Sequence, residues 1–243
     1  MGSTRLPGKV LKQLAGDTVL GHVVRRVRQA RRLDDICIAT TESPADEPIV
    51  AEAARLGVGC WRGSEQDVLA RYHGAAKDCG ASVIVRITSD CPLFDGALLD
   101  QIIGVFCKLD EGVALKWDYM SNVLKRTYPR GLDAEIFTLN VLDRAQVEAR
   151  QPHEREHVTP YFYQHPELFR LRSFDGGEDL SAHRWTLDTP EDWQFVEAVY
   201  AALGANCSTE DVLKLLKARP EFLSLNASVE QKKLVQYSAR GLV

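Results

Sequence analysis

The 243 residues of this chain predict an α/β fold with a mainly parallel sheet, and three observations carry that reading. Short apolar segments of strand character alternate with amphipathic helical segments as far as Leu109, the pattern of successive βαβ units. The polar motifs Thr40-Thr41, Arg62-Gly63 and Ser89-Asp90 each stand just after a predicted strand. They therefore gather on one rim, where open α/β sheets hold their ligands. The length suits one such domain with a sizeable core.

Taken in order, Thr18 to Arg32 reads as a helix, with Val19, Leu20, Val23, Val24 and Val27 as its apolar stripe. Arg25, Arg28 and Arg32 fall on another face, three and four residues apart. Asp35 to Thr40 predicts a strand, Ala45 to Leu56 a helix and Val58 to Trp61 a strand. Gln66 to Cys79 follows as a helix. Ser82 to Thr88 is a strand apolar enough to be buried, and Asp95 to Leu109 is a helix. After Gly112 the rhythm changes. Lys116 to Thr127 and Ala134 to Thr138 read as strands around the turn-rich Tyr128-Pro-Arg-Gly131. Two helices, Asn140 to Ala149 and Glu154 to His165, precede a strand at Leu168 to Phe174 and a turn at Asp175-Gly-Gly177. Arg184 to Leu187 is a last strand. It runs into a helix opened by Thr189 as cap and Pro190 at the first helical position. Residues 112–175 read as an inserted α+β subdomain within a single domain spanning 1–243.

Composition excludes several classes. A hydrophobic content of 45% with 26% charged residues is that of a globular chain, which removes disorder from consideration. No apolar run approaches a membrane span and no signal-peptide pattern is present, so a cytoplasmic location without a membrane partner is expected. The six cysteines (37, 60, 79, 91, 107 and 207) form no C-x-x-C pair and are expected to be reduced. The net charge of −4 is uneven: residues 1–33 carry eight Lys or Arg against one acid, Asp17. A basic N-terminal part suits a polyanionic ligand, and nucleic acid is the alternative.

The chemistry concentrates in Met1-Gly-Ser-Thr-Arg-Leu-Pro-Gly-Lys9. Gly2 and Gly8 allow backbone N–H groups to approach an anion, and Arg5 and Lys9 add fixed positive charge. Five residues separate Gly2 from Gly8 and Val10 follows Lys9, so this is not the G-x-x-x-x-G-K-[ST] phosphate loop. Asp90 and Asp188, each at a strand end, form the kind of carboxylate pair that holds Mg²⁺ when substrate phosphates complete its shell. Singly, each also reads as a turn-former or an acid ahead of a helix. No G-x-S-x-G elbow occurs, so a hydrolase triad has no support.

The wording of the loop recurs with other motifs in a fixed series. Among them are Arg62-Gly-Ser64, Asp67-Val-Leu-Ala-Arg-Tyr72, Arg86-Ile-Thr-Ser-Asp-Cys-Pro-Leu93, Ser121-Asn122, Arg155-Glu-His-Val-Thr-Pro-Tyr161 and Arg184-Trp-Thr-Leu-Asp-Thr-Pro-Glu-Asp192. The series covers nearly the whole chain and resembles the SpsF-like spore coat polysaccharide cytidylyltransferases. These are relatives of the acylneuraminate and deoxy-manno-octulosonate cytidylyltransferases. The resemblance implies a Rossmann-like sheet of the nucleotide-diphospho-sugar transferase type. It also implies Mg²⁺-dependent transfer of CMP from CTP to an acidic sugar or sugar phosphate in surface glycan synthesis.

The resemblance further implies roles for residues. Arg5 and Lys9 hold the β- and γ-phosphates, with the loop amides of Gly2, Ser3, Thr4 and Gly8. Asp90 and Asp188 bind Mg²⁺. The base and ribose sit over Thr40, Thr41, Arg62, Ser64 and Asp67, although Ser64 and Asp67 also read as helix-capping residues. The acceptor side falls to Asn122, Asp133, Glu135, Arg155 and His157, where a solvated helix face is the plain alternative for Arg155. The family pattern begins with an apolar strand ahead of the loop, so a first strand is expected to be missing here. A homodimer is expected by analogy, because Trp117, Tyr119, Phe162 and Tyr163 exceed what a small subdomain readily buries. Two alternatives stand beside the enzyme: a nucleotide-binding relative weak in catalysis, and a nucleic-acid-binding protein using the basic helix through residues 25–32.

Overall fold

The computed structural model describes residues 5–107 and 115–231. A small antiparallel hairpin, β1 (Gln13–Leu14) and β2 (Asp17–Thr18), leads into α1 (Val19–Val27). The Thr18 hydroxyl caps α1 by accepting from the Gly21 amide at 2.8 Å. The helix stops five residues short of the expected Arg32. The carboxylate of Asp100 takes the Arg31 and Arg32 amides at 2.7 and 2.9 Å and turns the chain away. The helix arginines are spent inside the chain. Arg25 pairs with Asp17, Arg28 donates to the Gly57 carbonyl, and buried Arg26 donates to the carbonyls of Leu93, Phe94, Ala205 and Cys207. Arg31 and Arg32, expected on the same helix, lie beyond its end with exposed side chains.

The expected alternation then follows: β3 (Cys37–Thr41), α2 (Glu47–Leu56), β4 (Gly59–Gly63), α3 (Val68–Asp78), β5 (Val83–Arg86) and α4 (Gly96–Cys107). Strands β3 and β4 pair in parallel from Cys37↔Gly59 to Thr41↔Gly63. Beyond the first 107 residues come β6 (Tyr119–Ser121), β7 (Glu135–Thr138), α5 (Leu139–Glu148), α6 (Pro152–His157), α7 (Pro160–Tyr163) and β8 (Leu171–Ser173). The chain then forms α8 (Pro190–Leu203) and α9 (Thr209–Ala218).

The second sheet has the order β5-β7-β6-β8. Its β5–β7 and β6–β7 pairs are antiparallel and its β6–β8 pair is parallel. The fold is thus α/β with a mixed sheet, where a mainly parallel one was expected. The described part of 112–175 is woven into the sheet, because β7 lies directly on β5. The strand expected over 116–127 shortens to three residues, since the chain leaves the sheet at Asn122. Residues 184–187 form only an isolated bridge, Arg130↔Arg184. The expected helix over 154–165 is broken into α6 and α7 at Val158, whose φ of 73° no regular helix accommodates.

Two cores result. The larger joins α1, α4 and α8 through Val23, Phe94, Leu99, Phe106, Trp185 and Phe195. The other sets Leu69 of α3 against Tyr119, Phe137, Val141 and Phe162. Tyr119 and Phe162 are fully buried, and Trp117 and Tyr163 pack against these cores. Two of the four rings named for the dimer are therefore fully covered within the chain, while Trp117 and Tyr163 keep part of their surface exposed. Large exposed apolar side chains among the described residues are Leu124, Val147 and Leu223. All six cysteines are free thiols.

Between the two sheets lies an apolar cleft of about 340 Å³. The segments Ile36–Thr40 and Val85–Ser89 both line it, and α1 and α3 add Val23, Val24, Val68 and Tyr72. Among the described residues, strand β3 is paired on one side only, to β4, and β5 on one side only, to β7.

Candidate active site

Four residues chosen from sequence converge on one point. Lys9 opens a short 3-10 turn, Lys9–Leu11, immediately after Gly8, whose φ of 64° is left-handed. That backbone bend, unstrained in glycine, aims the Lys9 side chain at the ends of the sheet. Its ammonium donates to Asp90 Oδ2, Asp188 Oδ1 and the Leu187 carbonyl, each at 2.8 Å. Arg5 Nη2 lies 3.1 Å from Asp188 Oδ2. The two carboxylates are held side by side because the Leu187 amide donates to the Asp90 carbonyl at 2.9 Å.

The electrostatics are those of a charge-dense, half-buried site. Burial works against the Lys9 charge, yet the two aspartates outweigh it and raise the ammonium above its ordinary pKa. Burial likewise pushes Asp188 up, and Lys9, Arg5 and Arg184 together bring it below the ordinary carboxylate value. The carboxylate pair fits a divalent cation whose remaining oxygens come from phosphates, and the Lys9 ammonium already rests between the two carboxylates as a cation. Among the described residues no group of three or more His, Cys, Asp and Glu could hold a metal by protein ligands alone.

Behind Asp188 stands a set of residues that sequence reading did not assign to the site. Asp192, with no exposed surface, accepts from Arg184 Nε and Nη2, both at 2.8 Å. It also accepts from the amides of Asp188 and Thr189 and from Asn226 Nδ2. Arg184 Nη2 reaches Asp188 Oδ2 at 3.0 Å. Thr189 and Asp192 form the reciprocal cap of α8, with Pro190 at its first position. The T-P-E-D wording announces this cap, but not that the same carboxylate grips Arg184. A close approach fixes the neighbouring loop. Gly131 has φ 102°, and a Cβ there would lie 2.6 Å from the Trp185 carbonyl carbon.

The remaining expected site residues are distributed as follows. Gly2, Ser3 and Thr4 lie outside the described residues. The Thr40 and Thr41 hydroxyls both donate to the Asp46 carboxylate. Arg62 donates to the carbonyls of Thr41 and Ser43 and pairs with Glu47. Ser64 accepts from the Asp67 amide, and Asp67 caps α3 through the Ala70 amide. Arg155 pairs with Asp67 across 88 positions of sequence, tying the expected nucleotide side to the expected acceptor side. Asn122 turns inward, donating to the Leu132 carbonyl and accepting from the Ala134 amide. Asp133 pairs with Arg126 through both oxygens. Glu135 is buried opposite Arg86 in the β5–β7 register and also accepts from the Tyr119 and Thr159 hydroxyls. His157 is half-buried, and burial lowers its pKa.

The family model described as cytidylyltransferase matches residues 1–239. Spore coat polysaccharide biosynthesis protein SpsF of Bacillus subtilis is 34% identical, over 91% of this chain and 92% of its own. A 3-deoxy-manno-octulosonate cytidylyltransferase of Anaeromyxobacter dehalogenans is 25% identical, over 83% of this chain and 94% of its own. The solved structure of a cytidylyltransferase from Leptospira borgpetersenii superposes with a TM-score of 0.87 at 33% identity, covering 95% of each chain.

Proposed function

This chain belongs to the cytidylyltransferase family, and from that premise we propose that it transfers CMP from CTP to the hydroxyl of an acidic sugar or sugar phosphate. Pyrophosphate is released, and the product serves surface glycan synthesis. The observation that carries the reading is the meeting of Arg5 and Lys9 with Asp90 and Asp188 at the sheet ends. In the reaction, an acceptor oxygen bonds to the α-phosphorus as the bond to the pyrophosphate oxygen breaks. Such transfer asks the protein mainly for positioning and charge neutralisation. Arg5 and Lys9 bind the two outer phosphates and stabilise the charge that grows on pyrophosphate. Asp90 and Asp188 would hold Mg²⁺, which when bound draws the phosphate oxygens together and lowers their charge. Arg184 and Asp192 keep Asp188 oriented.

Base choice is the direct test. With Mg²⁺ present, CTP should raise the melting temperature more than ATP, GTP or UTP does. At about 100 times its Kd a ligand adds about 2.7 kcal/mol of stability. Equal shifts for the four nucleotides would remove the cytidine-specific part of the reading.

The same reading places an apolar strand in the cleft between β3 and β5, leading into the loop. The one-sided pairing of β3 and β5 and the apolar lining support it, since unpaired strand edges and unfilled apolar space both cost stability. A segment of about five or six apolar, β-branched residues fused ahead of the loop, a normal strand length, is expected to raise the melting temperature. An unchanged melting temperature with the fused segment would contradict this placement.

A further inference from the structure

Lys9 is more tightly engaged than a phosphate-binding lysine waiting for its ligand needs to be. An ammonium carries three N–H donors, and here each has an acceptor at 2.8 Å: Asp90 Oδ2, Asp188 Oδ1 and the Leu187 carbonyl. The Lys9 side chain is only 11% exposed. The two carboxylates come from positions 98 residues apart and are locked together through the Leu187 amide and the Asp90 carbonyl. Arg5 and Arg184 both approach the other oxygen of Asp188. One compact monovalent cation thus fills the point between two carboxylates, with a second and third cation at its edge.

We propose that Lys9 is an internal cation of the carboxylate pair, holding the place of the divalent ion until metal displaces it. The proposal rests on the reading of Asp90 and Asp188 as metal ligands. A divalent ion and the Lys9 ammonium cannot share the same two oxygens, because like charges at contact distance repel strongly. Metal entry therefore expels Lys9. Its four-carbon stem gives the freed ammonium the reach to follow an incoming triphosphate, and the turn at Gly8 lets the loop carry it. Lys9 thereby couples the two ligands. Metal frees the lysine for phosphate, and phosphate removes the lysine that competes with metal. Without a nucleotide, the site discriminates against free metal.

The coupling makes an unusual prediction of sign. Mn²⁺ alone, with no nucleotide, should bind Lys9→Met at least about tenfold more tightly than the parent chain, by electron paramagnetic resonance or calorimetry. CTP should bind the same variant more weakly. Asp188→Asn should lose Mn²⁺ binding in either background. An independent readout needs no variant: the Lys9 amine should be slow to acylate in the metal-free protein, and Mn²⁺ alone should accelerate its labelling, read by peptide mass spectrometry. Equal Mn²⁺ affinity in both chains, or Lys9 labelling unmoved by Mn²⁺, would overturn the proposal while leaving cytidylyl transfer intact. Conversely, Mn²⁺-driven release of Lys9 in a protein that ignores CTP would sustain the proposal and overturn the proposed nucleotide.

Discussion

Replacing Asp188 with Asn is expected to lower cytidylyl transfer by about a hundredfold to a thousandfold, the loss typical of removing one preorganised electrostatic group. The carboxylate receives Lys9, Arg5 and Arg184 at 2.8 to 3.1 Å. An amide of the same shape keeps the packing but leaves three cations around a neutral group, and it is a poor ligand for a hard cation. The parent and variant should differ in stability as well, with a defined pH dependence. The folded pKa of Asp188 is depressed. Its contribution is therefore fully present above the unfolded carboxylate value of 3.8 and is lost as pH falls through the lower folded value. Denaturant titrations of both chains between neutral pH and acid should converge at the acid end. A variant with parental turnover would remove Asp188 from the chemistry.

The largest stability loss is expected for Asp192→Ala. This carboxylate is fully buried and compensates Arg184, whose side chain is only 8% exposed. Taking away one member of a buried pair strands the other charge and typically costs about 3–5 kcal/mol. For a chain of this size that corresponds to a fall in melting temperature of about 6–20 °C. The cap of α8 is lost at the same time, and so is the tie from Asn226 to the Arg184 segment. Asp192→Asn, which keeps the shape and part of the hydrogen bonding, should fall between the two. Its residual activity reports how far Asp188 depends on Arg184 for its orientation. Thermal melts within about 1 °C of the parent for Asp192→Ala would contradict this account of the support behind the site.

The meeting of Arg5, Lys9, Asp90 and Asp188 was legible because it is made of features that sequence displays locally. Gly8 before Lys9 marks a loop, Asp90 follows the β5 segment, and Asp188 stands just ahead of α8 after a run held only by a bridge at Arg184; α/β geometry gathers such positions on one rim. Helix α9 was equally legible and went unread: Ser208-Thr-Glu-Asp211 is a capping box. What sequence did not display are long-range polar pairings. Nothing around Asp67 announces Arg155, and nothing around Arg86 announces Glu135, because antiparallel register between β5 and β7 decides the second pair. The strand order β5-β7-β6-β8 was hidden for the same reason: short strands of three or four residues carry little periodicity, and their partners are chosen by tertiary packing. The aromatic residues misled in the opposite direction. Counting Tyr119 and Phe162 against a small insertion suggests surplus apolar surface, but Leu69 and Ala76 of α3, outside the insertion, supply part of the cover.

Product analysis with α-labelled CTP tests the central claim most directly. The protein, Mg²⁺ and a panel of acidic sugars and sugar phosphates would be incubated with CTP carrying the label on its α-phosphorus, in parallel with labelled ATP, GTP and UTP. The label of CTP is expected to move into a CMP-linked sugar with one pyrophosphate released per label transferred, and this transfer should fall at least about a hundredfold in Asp188→Asn. Preferential transfer from another nucleotide, or transfer that persists undiminished in Asp188→Asn, would contradict the account.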